Sequence, residues 1–430
     1  MGVKVSIIGA GSTYCPELAQ GLIAARNLLP VDSVYLMDIN ERKLNIVGGF
    51  FKRFFAQQQM PADVCLTTDL HTAIEHADFV ITQIRVGEMP ARIKDEKIPL
   101  KYGLIGQETT GIGGMMNALR ALPAIETIAR EIEQSAPDAW LINFANPSGI
   151  LTEYLANHTR VHSIGLCNVP ITMLETLSRI LDIPLSSLRL DSVGLNHLSW
   201  YTGVFDENGN EWLGKLLDSH FQGVSMQNIE AIEALPDMMQ TLHAIPSSYL
   251  NYFFYRDQEL QKLKTVDMTR GERCQLIENE LLEYYGNPEN TDIPALLAKR
   301  GGHLYSQAAI ELITSLYTGD GKAHVINVRN EGVLDFLDDS DVIETTCRVT
   351  KNGYQRIPLA SRISSSAKGL IQAVKQYEKL TVQAGIHGDR QAALEALLCH
   401  PLIGDATLGK AAFEELLEAH RPLLPRFFES

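Results

Sequence analysis

The chain has no paired cysteines, no excess of positive charge and no long apolar run. Its six cysteines, Cys15, Cys65, Cys167, Cys274, Cys347 and Cys399, lie far apart without CxxC spacing, which argues against a disulfide scaffold or a structural zinc site. A formal charge of −15 over 430 residues leaves no general basic face, so neither nucleic acid nor an anionic membrane is expected as a partner. No apolar stretch reaches the roughly 18 residues needed to span a bilayer. The first ten residues already alternate like a strand and lack the parts of a signal peptide, so a cytoplasmic protein is expected.

What is present is ordinary globular material, 45% hydrophobic and 21% charged, with core enough for roughly two or three domains. Val3 to Ile8 is a β-branched run, glycines follow, and Pro16 to Asn27 has helical spacing. A second strand, Val34 to Met37, ends at Asp38 and leads into a long helix through Phe55. Phe79 to Ile84, Ala139 to Phe144 and Val161 to Leu166 repeat the pattern of short apolar runs between amphipathic stretches. That is the signature of a parallel, doubly wound α/β sheet, and residues 1–195 read as one Rossmann-like domain. Residues 196–430 read as a mixed, mainly α, substrate and oligomerisation domain. It opens with a hairpin-like GVFDENGNEW, where Asn208-Gly209 favours a tight turn, and contains long helical stretches such as Arg273 to Tyr285. An active site between the halves is expected.

The turn Gly9-Ala10-Gly11-Ser12-Thr13-Tyr14 joins the first strand to the first helix. Gly9 and Gly11 permit a tight bend and a close approach of backbone N–H groups to a pyrophosphate at a helix N-terminus, with Ser12 and Thr13 in the same turn. Tyr14 stands where a third glycine is usual. Asp38, at the end of the second strand, is placed to accept the ribose hydroxyls of NAD and to repel the 2′-phosphate of NADP. Alternatively, Asp38 caps the helix that follows.

Further islands are more particular: TQIRVGEMPARIKDEKIPLKYGLIGQETTGIGG, NFANPSGI, GLCNVP, GLNHLSW, IPSSYLNYFFY and NVRNEG. With GAGSTY, and in this order, they resemble glycoside hydrolase family four over nearly the whole chain. The resemblance implies a glycosidase that uses NAD and a divalent metal, usually manganese, often on 6-phosphorylated glycosides. It stands apart from two-carboxylate glycosidase chemistry.

Cys167 in GLCN and His197 in GLNH each follow a strand-like run and belong at the ligand edge of such a sheet. In isolation each reads equally as a buried core group. The resemblance makes them the metal pair, a thiolate and an imidazole that leave open positions for substrate oxygens. Asn168 beside the cysteine and Asn146 in NPSG are candidates for substrate hydroxyls or metal-proximal groups, although Asn146-Pro147 also reads as a turn and Asn143 as a loop support. Tyr249 resembles the family's catalytic base and needs a nearby cation to act near neutrality, with Tyr252 as the fallback. Arg85, Arg92 and Arg270 are candidates for a 6-phosphate, each with a surface carboxylate as the alternative partner. Glu108 and Thr109, with Gly113 and Gly114, are expected near sugar and nicotinamide. Asn327, Arg329 and Asn330 either close the cleft or cap turns.

The chemistry implied is a redox-assisted elimination. The C3 position of the sugar is oxidised by NAD, the C2 proton passes to Tyr249, the glycosidic oxygen leaves C1, water adds, and hydride returns to C3. Asn168 directly after the cysteine resembles the 6-phospho-β-glucosidase branch, where 6-phospho-α-glucosidases tend to carry Asp. A disaccharide such as cellobiose 6-phosphate is the expected substrate, and a homodimer or homotetramer the expected assembly. The rival readings are a 6-phospho-α-glucosidase or other glycosidase of the same family, a lactate- or malate-type dehydrogenase, which pairs His with Asp and Arg, and a non-catalytic NAD sensor.

Overall fold

The computed structural model describes residues 2–219, 221, 235–300, 304–359, 361 and 363–429. Among these residues lie β1 (Val3–Ile8), β2 (Val31–Met37), β3 (Asp63–Thr67), β4 (Phe79–Thr82), β5 (Trp140–Asn143), β6 (His162–Gly165), β7 (Leu188–Leu195), β8 (Leu198–Asp206), β9 (Ile245–Pro246), β10 (Ala323–Arg329), β11 (Val342–Thr350) and β12 (Gly353–Arg356). They form one sheet in the order β3-β2-β1-β4-β5-β6-β10-β11-β7-β8-β9, with β12 on β11.

The first six strands pair in parallel, which is the expected doubly wound order and places a crevice beyond β1 and β4, where the winding reverses. Alternate residues of β4 divide between two cores. Val80 packs with Ile112, Ile125 and Ile371 on one face, while Phe79 and Ile81 pack with Leu18, Phe50 and Phe51 on the other. Covering both faces is what makes these strands apolar throughout rather than alternating.

The second half is mixed and mainly α, as expected, and its strands join the sheet of the first. β10, β11, β7 and β8 continue that sheet in antiparallel fashion, so the division expected near residue 195 falls in the turn between the paired strands β7 and β8. The expected tight turn after Val204 is present, with Gly209 at φ 80 and Asp206 Oδ1 accepting the N–H groups of Asn208 and Asn210, both at 2.9 Å. Its returning arm touches β8 through one bridge, Phe205 to Glu211, and then becomes the helix Leu213–Asp218.

One row of register-aligned residues crosses both halves: Met37, Ile8, Thr82, Asn143, Gly165, Asn327, Glu344 and Gly194. Gly9, Asp38, Arg85, Asn146, Cys167 and His197 all leave the sheet within three residues of that row. Backbone at Gly165 must approach its neighbours closely, since a Cβ there would meet Thr152 Oγ1 at 2.2 Å.

The helix Ser148–His158, which carries the segment after Asn146 away from the sheet, is anchored by a buried charge cluster. Lys375 Nζ, from the helix Ser365–His387, lies 2.8 Å from Glu153 Oε2 and 2.5 Å from Glu378 Oε2, and Glu153 Oε2 also accepts Val342 N–H at 2.7 Å. Removing the single cation strands two buried carboxylates. Lys375→Met is therefore expected to destabilise the fold by about 3–5 kcal/mol, measured as a lowered urea midpoint. A midpoint equal to that of the native chain would show that the cluster does not anchor the helix.

Candidate active site

A cavity of about 600 Å³ opens at the aligned row, between the first turn of the chain and segments from the second half. Gly9, Gly11, Ser12, Tyr14, Asp38, Arg85, Arg92, Glu108, Asn146, Asn168, His197, Tyr249 and Arg270 line it, whereas Thr13, Thr109, Gly113, Gly114, Asn143, Cys167, Tyr252, Asn327, Arg329 and Asn330 do not.

At the dinucleotide end, Gly9 has φ 90, and a Cβ on it would lie 2.9 Å from Ile84 N. Gly11 N–H donates to Asp38 Oδ2 and Asn40 N–H to Asp38 Oδ1, both at 2.8 Å. Asp38 thus braces the turn with one lone pair on each oxygen and faces the cavity with others still available. It does not cap the next helix; Asn40 does, its side chain accepting Lys43 N–H at 3.1 Å. Burial holds the Asp38 carboxyl above the usual carboxylate range, with the Asn40 and Gly11 N–H groups pulling the other way.

Thr13 lies behind the turn, buried, with its carbonyl accepting the Tyr285 hydroxyl at 3.1 Å. Tyr14, in the place of the third glycine, lines the cavity beneath the Arg300 guanidinium, 5.1 Å from its ring centre. Lys43 and Glu278 also line this end. Their ion pair spans 235 positions in the chain, too far for local periodicity to reveal.

At the opposite end, His197 occupies the two-residue turn between β7 and β8 with φ 64, a left-handed conformation that disfavours a side chain. Its Nδ1 is 2.9 Å from Thr109 Oγ1, and that hydroxyl donates to Gln107 Oε1 at 2.8 Å. With its proton committed to Gln107, Thr109 accepts from Nδ1–H, so the lone pair of His197 lies on Nε2. Burial lowers the His197 pKa to about 4, despite the opposing charge of Glu108, and the ring is neutral at pH 7. The Tyr249 ring stacks on it, 3.8 Å between centres and 3° from parallel. Tyr252 is buried outside the cavity, and burial raises its pKa well above the usual range, which favours Tyr249 over the fallback.

The arginines are differently placed from one another. Arg92 is buried, with Nη1 2.9 Å from Glu108 Oε1 and Nε 2.8 Å from Glu96 Oε1, while Arg85 pairs with Glu108 Oε2. Burial alone would raise the Glu108 carboxyl, but Arg85 and Arg92 pull it down to about 2. Both guanidinium groups therefore have carboxylate partners inside the cavity. Arg270 donates instead to the neutral carbonyl oxygens of Lys299 (3.1 Å) and Arg300 (2.7 Å), which leaves its charge to the cavity.

Cys167 faces a smaller pocket and packs in one cluster with Tyr249, which in turn stacks on His197. Burial, with the Glu344 carboxylate nearby, pushes its thiol pKa up. Glu344 was not foreseen from sequence; it accepts from Asn196 Nδ2 at 3.2 Å, next to His197. Asn168 and Asn146 line the cavity. Asn143 supports the loop, its Oδ1 accepting the Thr82 hydroxyl at 2.8 Å. Asn330 caps its own turn, with its Oδ1 accepting Leu334 N–H at 2.8 Å, and Arg329 reaches the Ala156 carbonyl on the surface.

The model of the family 4 glycosyl hydrolases matches residues 4–183, and the model of that family's C-terminal domain matches residues 192–403. The chain belongs to family 4 of the glycosyl hydrolases. It is 39% identical to a probable 6-phospho-beta-glucosidase of Bacillus subtilis, over 99% of this chain and 98% of that one. A phospho-alpha-glucosidase of Clostridium acetobutylicum matches at 28% identity over 97% and 98% of the two chains. The solved 6-phospho-beta glucosidase of Thermotoga maritima, with manganese, NAD+ and glucose-6-phosphate, superposes with a TM-score of 0.89 at 35% identity, over 98% of this chain and 99% of that one.

The residues in this chain suit both kinds of cofactor. The Gly9 bend and the Asp38 carboxylate offer a close backbone approach and an acceptor for ribose hydroxyls. Neutral His197 presents Nε2, and Cys167 supplies sulfur once its proton is displaced. Among the described residues no group of three or more His, Cys, Asp or Glu gathers as a metal cage. Thr109→Val removes the acceptor that fixes the His197 proton. It is expected to weaken manganese binding about 10–100-fold, read from the resonance of free Mn2+ in a titration, and unchanged affinity would contradict the assigned tautomer.

Proposed function

We propose that this family 4 glycosyl hydrolase cleaves 6-phospho-β-glucosides, with NAD and a divalent ion, usually manganese, held across the cavity. The reading is carried by one observation: a dinucleotide-type turn and a neutral histidine stacked on a tyrosine face the same cavity. Its β preference is supported by Asn168 after the cysteine and by the higher identity to the beta-acting relative.

Gly9, Gly11, Ser12 and Asp38 would hold NAD, and Cys167 and His197 the metal. Once bound, NAD would supply reversible hydride acceptance at C3 of the sugar, and the metal would help acidify the neighbouring C2–H. Tyr249 then takes the C2 proton on its phenolic oxygen, from a ring already fixed against His197. Loss of that proton expels the glycosidic oxygen from C1. Water then adds its OH to C1 and its other proton goes to the departing oxygen, Tyr249 returns a proton to C2, and the hydride would return to C3. Asn168 and Asn146 orient sugar hydroxyls from the cavity wall. Arg270, whose partners are neutral carbonyl oxygens, draws the 6-phosphate to the cavity, while Arg85 and Arg92 are held by Glu108.

A dehydrogenase of the lactate or malate type is disfavoured by the partner of the catalytic-site histidine. Such enzymes set their His against Asp, whereas His197 Nδ1 meets the Thr109 hydroxyl. Turnover in D2O is expected to place deuterium at C2 of the released sugar phosphate, and Tyr249→Phe to suppress that exchange. Product without deuterium at C2 would rule out the elimination.

A further inference from the structure

At the dinucleotide end of the cavity, a lysine sits where cofactor discrimination is decided, and it is held by two carboxylates. Lys43 is one helical turn past the N-cap Asn40, and a Cβ built on Gly11 would lie 3.0 Å from Lys43 Cβ and 2.8 Å from Asp38 Oδ2. An isolated lysine there would attract the 2′-phosphate that distinguishes NADP from NAD. Instead, Lys43 Nζ lies 2.8 Å from Glu88 Oε2 and 2.7 Å from Glu278 Oε1.

The position of Glu88 is held against its backbone preference. It opens the helix Glu88–Lys101 with φ 52, directly after Gly87 at φ 84, and a left-handed glutamate is strained. That bend carries its carboxylate to Lys43 and to Asn40 Nδ2, 3.2 Å away, so one side chain grips the start of the helix that follows Asp38. Glu278 arrives from the helix Arg270–Gly286, where it also pairs with Arg300 Nη2 at 3.1 Å.

We infer that Glu88, seconded by Glu278, is a cofactor-specificity residue: it neutralises Lys43 so that NADP finds no cation to offset its repulsion by Asp38. The inference rests on the proposed NAD site. It adds to the role of Asp38 a second, separable determinant. Asp38 repels the extra phosphate, and the Glu88 clamp withholds the lysine that would otherwise compensate. Glu88 is half exposed, so its hold on Lys43 is sensitive to salt.

The test is equilibrium binding of NAD+ and NADP+ to the full chain, in the native sequence and in Asp38→Ser, Glu88→Gln and the double variant. The native chain is expected to bind NAD+ in preference to NADP+, and failure to bind NAD+ at all would overturn the site rather than the clamp. Adding Glu88→Gln to Asp38→Ser is expected to raise the ratio of NADP+ to NAD+ affinity about tenfold, the scale of one charge-assisted hydrogen bond. Raised salt should shrink this gain, and Lys43→Met in the double variant should abolish it. If the chain binds NAD+ and Glu88→Gln leaves the ratio unchanged, or if the gain survives Lys43→Met, the inference is wrong.

Discussion

His197 is the residue through which the two halves of the chain meet in function. Its backbone is left-handed in a two-residue turn, a conformation that for a non-glycine residue stores about 1–3 kcal/mol. That strain is held by contacts from both sides: Thr109 from the N-terminal half fixes the ring proton, and Tyr249 from the C-terminal half fixes the ring plane. The turn itself hangs between β7 and β8, which extend the parallel sheet rather than forming a body apart from it. The row that runs from Met37 to Gly194 thus brings the nucleotide turn and the histidine turn to one sheet edge.

Charge in the cavity is arranged by pairing rather than by excess. The chain is acidic overall, yet its cavity contains several arginines and a lysine, most of them matched by a buried carboxylate. Pairing lets guanidinium groups be buried without the large desolvation penalty of a lone ion. It also decides what remains to be recognised. Arg270, whose partners are neutral carbonyls, keeps attraction for an anion, while Lys43 between Glu88 and Glu278 does not.

The parts that could be read from sequence are those whose physics is local. The Gly9-Ala10-Gly11 bend, Asp38 one residue beyond its strand, and the alternation of apolar runs each declare themselves within a few residues, and the structure places them as expected. The order of the motif islands pointed to the family, and Cys167, His197 and Tyr249 do lie in one contiguous cluster. Pairings across long separations were hidden: Glu108 with Arg85 and Arg92, Glu278 with Lys43, and Glu344 beside Asn196. The second half reads as mixed, but the joining of β10 and β11 to β6 and β7 was hidden, because those partners are far away in sequence and the strands carry polar residues such as Asn327, Thr345 and Thr346 in their interior. Tyr14 looked like a defect in a glycine motif. In the fold it is the platform beneath Arg300.

The central claim is that this cavity uses a redox cofactor to carry out a hydrolysis. It is tested most directly by following nitrophenol release and NADH absorbance together on nitrophenyl α- and β-glucosides, each with and without a 6-phosphate. The account predicts release from the 6-phospho-β-glucoside with no net rise in NADH. Equal release from the unphosphorylated glucoside, or NADH accumulating in step with product, would contradict it.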